Sequence, residues 1–259
     1  MYPHKLTILF TTIIFSFSLQ PQISAQQKAP KAGRIAVVVD ERLSALRSTP
    51  EVSGVLIRRI GRGRFVAIRS SKKTPDGIVF YRVSVSSGTQ GWMQREAVVS
   101  GSQRDDDKRL LSLILSSSDF DRIARARIFL TVFPRSTLRP QVLLLFGEAA
   151  EEAAAKLTRD ASRRLGPLDF TYYLNYSGLD RYNRQGIRFG FDRPTRQFRY
   201  DGAAWRELIR RYPKSPEALK AAERLVPLAQ VGQQGGQYHR TVSATPLLCA
   251  TSAYSVSLW

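Results

Sequence analysis

Few side chains in this 259-residue sequence could do chemistry. There are two histidines, His4 and His239, and a single cysteine, Cys249. That set cannot build a zinc finger, an iron–sulfur centre or a disulfide framework, each of which needs several such ligands. No Gly-x-Ser-x-Gly elbow, Walker loop, His-Glu-x-x-His or Cys-x-x-Cys spacing occurs. Glu148, Glu151 and Glu152 share one predicted helix, with Glu148 and Glu152 on one face. That is the pattern of a solvated helix. A carboxylate-only glycosidase needs one acid held in a deep cleft, and nothing in the sequence frames one. The expectation is a protein that is not an enzyme, with no catalytic residues, no metal ligands and no cofactor.

The ends of the chain remove still more chemistry. Lys5 followed by the apolar run from Leu6 to Phe17, a break at Pro21 and small residues at Ser24 and Ala25 read as a secretory signal peptide over 1–25, cleaved after Ala25. Counted through Leu19 the run has 14 residues, short of the roughly 20 that span a bilayer. Residues 26–32 form a polar linker. Cleavage takes away His4, which leaves His239 and Cys249 in the stretch 226–259, where no helical or strand period is visible. Composition predicts a disordered tail there. The expected location is periplasmic or secreted, with no membrane-spanning segment after cleavage.

The composition, 43% hydrophobic and 24% charged, fits one large or two small folded domains. The net charge is +19, from 40 Lys and Arg against 21 Asp and Glu. Residues 33–104 carry 13 basic and 5 acidic side chains, and residues 105–225 carry 23 and 16. The excess is therefore spread over both halves rather than held in a tail, and it favours anionic partners through long-range, salt-sensitive attraction.

Residues 33–100 read as short strands separated by turns. The runs are Ile35–Val39, Val55–Ile57, Phe65–Ile68, Ile78–Val85, Gln90–Met93 and Ala97–Val99. Five or six short strands in so small a span predict a small β-barrel or sandwich. Leu-Ser-Ala-Leu-Arg-Ser-Thr-Pro at 43–50 resembles the opening motif of bacterial SH3-like domains. Gly-Arg-Gly-Arg-Phe at 61–65, Tyr-Arg-Val at 81–83 and Gly-Thr-Gln-Gly-Trp-Met at 88–93 follow in that family's order. The resemblance implies a non-catalytic module that binds peptidoglycan or peptides, with Trp92 plugging one barrel end and Gly91 sharpening the last hairpin. Tyr81 and Trp92 are the aromatics expected nearest a ligand groove. Arg58, Arg59, Arg62 and Arg64 lie within seven residues. They read either as a solvated edge that discourages strand pairing or as an anion-binding patch, for which Arg59, Arg62 and Arg64 are the candidate ligand residues.

Residues 105–225 carry a helical period. Ile123, Ala126, Leu130 and Phe133 form one stripe, Val142 to Leu157 a second, and Trp205, Leu208, Ile209 and Tyr212 a third. Phe-Pro-Arg-Ser at 133–136 and Tyr-Pro-Lys-Ser at 212–215 each link an amphipathic helix to an Ala-containing one. This resembles the helical hairpins of tetratricopeptide-type repeats, which implies a protein-docking surface. The two copies start 79 residues apart, not the 34 of a regular array. Between them, nine aromatics from Phe170 to Tyr200 alternate with arginines, and the 187–200 stretch predicts a β-hairpin. Arg184, Arg188, Phe189 and Arg196 are the candidate partner-binding residues there. The mixture could also be an aromatic seam with an arginine-rich outside.

The expected fold is a two-domain chain: an all-β SH3-like barrel over 33–100, then a mostly α, tetratricopeptide-like domain over 105–225 with an inserted β-hairpin. The expected function is a non-catalytic adaptor of the bacterial cell envelope, whose first module binds peptidoglycan or peptide and whose second docks a protein. A second reading is a regulatory or targeting subunit acting in trans with a cell-wall hydrolase. A third, binding of nucleic acid or another anionic polymer, is disfavoured by export.

Overall fold

A computed structural model describes residues 34–86, 88–165, 172–173 and 175–225. The expected signal peptide over 1–25, the expected linker over 26–32 and the expected tail over 226–259, with His239 and Cys249, lie outside the described residues.

Seven strands form one antiparallel sheet: β1 (Arg34–Val38), β2 (Ala45–Arg47), β3 (Leu56–Arg59), β4 (Phe65–Lys73), β5 (Val79–Ser86), β6 (Thr89–Gln94) and β7 (Val98–Val99). Their order is β3-β2-β6-β5-β4-β1-β7. The sheet is open, with β3 at one edge and β7 at the other. This overturns the expected all-β SH3-like barrel joined to a tetratricopeptide-like helical-hairpin domain. The chain is a mixed α/β fold.

The physical reason lies in β1. On a strand, alternate residues face opposite sides. Ala36 and Val38 enter the core of the sheet with Leu46, Ile68, Val83 and Met93. Val37, Val39 and Val99 join the core of the helices instead. The apolar run at 36–39 is therefore covered on both faces, the pattern such burial requires, while Ile35 at its start is exposed. Because helices cover the β1–β7 side, that side does not return to meet β3.

The helices are α1 (Asp106–Leu115), α2 (Asp119–Val132), α3 (Arg139–Leu165), a short α4 (Asp180–Asn183), α5 (Ala203–Arg211) and α6 (216–225). The predicted hairpin forms as β8 (Phe189–Asp192) paired antiparallel with β9 (Gln197–Tyr200). Helices α2 and α5 and strand β9 all pack on α3. The Ser215 hydroxyl accepts the Ala218 N–H at 3.2 Å and so caps α6.

Polar bonds fasten the sheet to the helices. Asp106, at the start of α1, accepts the Ser100 N–H at 2.8 Å and pairs with Arg109 at 3.1 Å. Arg109 also donates to the carbonyls of Glu96 and Val98. Arg125 of α2 is buried; it donates to the Val39 carbonyl at 3.3 Å and to the Ser117 hydroxyl. Burial works against its charge and lowers its pKa, as does the positive charge of Arg62, while Asp40 and Asp121 support it.

Two glycines are required by close approach. A Cβ on Gly91 would stand 2.7 Å from the Arg47 carbonyl and 2.8 Å from Leu46 Cγ. Gly91 thus lets β2 lie against β6, rather than sharpening a hairpin. A Cβ on Gly147 would stand 2.0 Å from Trp205 Nε1. The backbone of α3 is the surface on which the Trp205 indole rests. Gly147→Ala is expected to cost about 1–3 kcal/mol through overpacking, read as a lower urea midpoint.

Candidate binding surfaces on the sheet

The nine predicted site residues fall in different environments. Tyr81 is 6% exposed and lies in the sheet core, opposite Met93. Burial pushes its phenol pKa up, and Arg95 works against that shift. Tyr81 therefore packs, and a ligand on the surface does not meet it. Trp92, one residue from Met93 and so on the other face of β6, is half-buried on the outside of the sheet rather than plugging an end. Trp92→Ala is expected to cost only about 1–2 kcal/mol for a half-buried ring. Thermal denaturation checks this.

The register puts Trp92 in a cross-strand row. Arg47 of β2 lies directly opposite it on one side and Arg82 of β5 on the other, with Leu56 of β3 beyond Arg47. Directly opposed side chains on neighbouring strands are about 5 Å apart at Cβ. Arg47 is anchored by a 2.7 Å bond to the Gly54 carbonyl. Arg82 is exposed, with no ion pair among the described residues. Sequence reasoning missed Arg47 and Arg82. The alternation in Tyr81-Arg82-Val83 carries the signal for Arg82, but Arg47 is tied to Trp92 only by strand pairing.

The arginine cluster forms a cleft. Arg58, Arg59, Arg62 and Arg64, with Gly61 and Gly63 between them, line about 490 Å³ at the turn joining β3 to β4. Gly63 takes φ +80°, a left-handed turn conformation suited to glycine. The turn is held from below: the Arg62 N–H donates to Glu41 Oε1 at 2.9 Å, and the Gly63 N–H donates to the Val38 carbonyl at 2.9 Å. Arg62 itself is committed elsewhere. Its guanidinium bonds Asp121 of α2 at 2.8 Å and holds that carboxyl below the usual carboxylate range. Arg58, Arg59 and Arg64 are exposed and without an ion pair among the described residues. Of the three predicted ligand arginines, Arg59 and Arg64 are free to take an anion, and Arg62 positions the turn.

The predicted partner residues lie on and beside the β8–β9 ribbon. Arg184, Arg188 and Arg196 are exposed, Arg196 in the turn between the strands with φ +53°. Phe189 is half-buried, edge-on to Tyr182 at 5.4 Å. The arginines and Phe189 therefore do not converge on one pocket; the ring supports the core while the charges fringe it.

Among the described residues there is no cluster of three or more His, Cys, Asp or Glu side chains placed to hold a metal ion, and no helix is long and apolar enough to cross a membrane. Comparison with family models, with curated proteins and with solved structures gives no match to any of them.

Proposed function

We propose that this chain is a non-catalytic binding protein of the bacterial cell envelope, and that the sheet engages an anionic wall ligand through the arginine cleft. The observation that carries this reading is that Arg58, Arg59 and Arg64, all exposed and without an ion pair among the described residues, line one cleft. Guanidinium forks match carboxylates well, and peptidoglycan stem peptides are rich in carboxylates. The Arg47–Trp92–Arg82 row adds a ring with flanking cations to the same sheet. The signal-like first 25 residues support an envelope setting. The helical half would dock a protein.

Sedimentation with purified peptidoglycan sacculi at about 0.15 M salt tests this. The wild-type chain is expected to pellet and to be released by higher salt. The Arg59→Gln, Arg64→Gln double variant should stay in the supernatant with an unchanged melting temperature, since exposed substitutions change stability by about 0.5 kcal/mol or less. Wild-type protein that does not pellet, or a double variant that pellets equally well, overturns the assignment.

A further inference from the structure

Of the nine large apolar side chains exposed among the described residues, four fall within six positions: Val52, Val55, Leu56 and Ile57. Single exposed apolar residues need no explanation, but a contiguous group marks a contact surface. This group lies in the turn before β3 and on β3 itself, the strand at the edge of the sheet. Val55 is 73% exposed and Leu56 47%. Ile57 turns to the other face, where its Cδ1 stands 3.0 Å from the place a Gly91 Cβ would take.

Strand register joins the group to the tryptophan. Leu56, Arg47, Trp92 and Arg82 are partners on successive strands, so their side chains share the outer face. Leu56 and Trp92 are two strands apart, about 10 Å. The Arg47 bond to the Gly54 carbonyl holds the turn carrying Val52 and Val55 beside this row. Charge around it is one-sided: from Arg47 to Arg64 there are five arginines and one acid, Glu51. Arg59, paired with Ala45, shares the outer face with Leu56. Arg59 and Arg82 are exposed, with no ion pair among the described residues. An apolar centre with a tryptophan and a basic rim suits a lipid surface: the apolar groups enter the headgroup region and the guanidiniums meet lipid phosphates. Two other occupants fit less well. A second copy would set one arginine rim against another, on chains that each carry +19. An extended peptide would have to add to β3, where the register slips and leaves Ile57 without a partner on β2. Bulges and charges at a sheet edge work against strand addition.

We propose that this face docks the protein on the surface of an anionic lipid bilayer. Val55, Leu56 and Trp92 enter the headgroup region, and Arg59 and Arg82 meet the lipid phosphates. The association is peripheral. The inference goes beyond the wall reading and does not depend on it: that reading stands on the arginine cleft, and the apolar side chains carry this one.

Flotation of the full chain with unilamellar vesicles at about 0.15 M salt tests this. One set of vesicles holds one part phosphatidylglycerol to two parts phosphatidylcholine, and the other holds phosphatidylcholine alone. The chain is expected to float with the first set, to stay behind with the second, and to be released by raised salt. Arg82→Gln should weaken binding about fivefold, the share of one basic residue near a charged surface. The Val55→Ser, Leu56→Ser double variant should weaken it roughly tenfold or more while keeping the wild-type circular-dichroism spectrum. Val55→Ser alone, at the more exposed position, should weaken it by a smaller factor with the fold equally intact. Sedimentation of the double variant with sacculi should match that of the wild type, so that either reading can fail without the other. No flotation with the phosphatidylglycerol vesicles, equal flotation with both sets, or undiminished binding by the double variant overturns the proposal. Absence of flotation together with Leu56-dependent self-association, or with Leu56-dependent binding of an acidic peptide, would overturn it in favour of a second copy or a protein.

Discussion

Trp205→Ala is expected to lower folding stability by about 3–5 kcal/mol, the range for removing a fully buried large aromatic. Trp205 is wholly buried in the helical core and makes an edge contact with Tyr200 at 5.5 Å. Its indole rests on the bare backbone at Gly147, so no neighbouring side chain stands ready to collapse into the space. The Tyr200 hydroxyl also accepts the Ala204 N–H at 2.8 Å, which ties β9 to the start of α5. Loss of the ring should loosen that junction as well. Urea unfolding followed by far-ultraviolet circular dichroism reads the change. Trp205→Phe should recover most of the stability, because it keeps an aromatic ring and removes the unpaired N–H. Equal midpoints for Trp205→Ala and the wild type would remove Trp205 from the core.

Asp106→Ala is expected to cost about 3 kcal/mol, near the low end for breaking a buried ion pair. The carboxylate is 4% exposed, and its loss strands the Ser100 N–H. Arg109 keeps two carbonyl acceptors, which limits the damage. The effect should be pH-dependent. Burial raises the Asp106 pKa, and Arg109 and the Ser100 N–H only partly oppose it. A raised carboxyl means that the native state holds the proton more tightly than the unfolded chain. This group therefore favours folding as the pH falls through its raised pKa, and disfavours it above. Asp106→Asn, which is neutral at every pH, should remove that slope. Asp121 runs the opposite way: the Arg62 hydrogen bond lowers its pKa, so its contribution is present above the ordinary carboxylate range and fades as the pH falls through the lowered value. Because Asp121 is largely exposed, its share is small. Stability of Asp106→Asn and Arg62→Gln measured across pH 2–7 separates the two; a wild-type slope unchanged in Asp106→Asn would rule out the assignment to Asp106.

Much of the local structure is legible in the residues. The strand runs of the first half, the helical stripes and the 187–200 hairpin each follow from a period that one segment carries by itself. The serine cap at Ser215 is equally local. The arginine cluster is also legible, because four guanidiniums within seven residues around two glycines must share a turn. What the sequence leaves open is which arginines remain free. Arg62 is taken by Asp121, a residue 59 positions away, and no local pattern could identify that pairing.

The sequence by itself determines the faces of each strand. Tyr81 alternates with Arg82, and Trp92 with Met93, whatever the fold. Tertiary structure decides which face is covered and by what. The apolar run at 35–39 fits a barrel strand or a strand packed on both sides, and only the approach of α1 and α2 to Val37 and Val39 selects the second. That choice opens the sheet and turns two expected modules into a mixed α/β fold. It also brings Arg47 beside Trp92 across a strand boundary, and seats the Trp205 indole on the bare backbone at Gly147, 58 residues away. Alternation is a property of neighbouring residues. Closure, pairing and the satisfaction of buried donors depend on groups far apart in the chain.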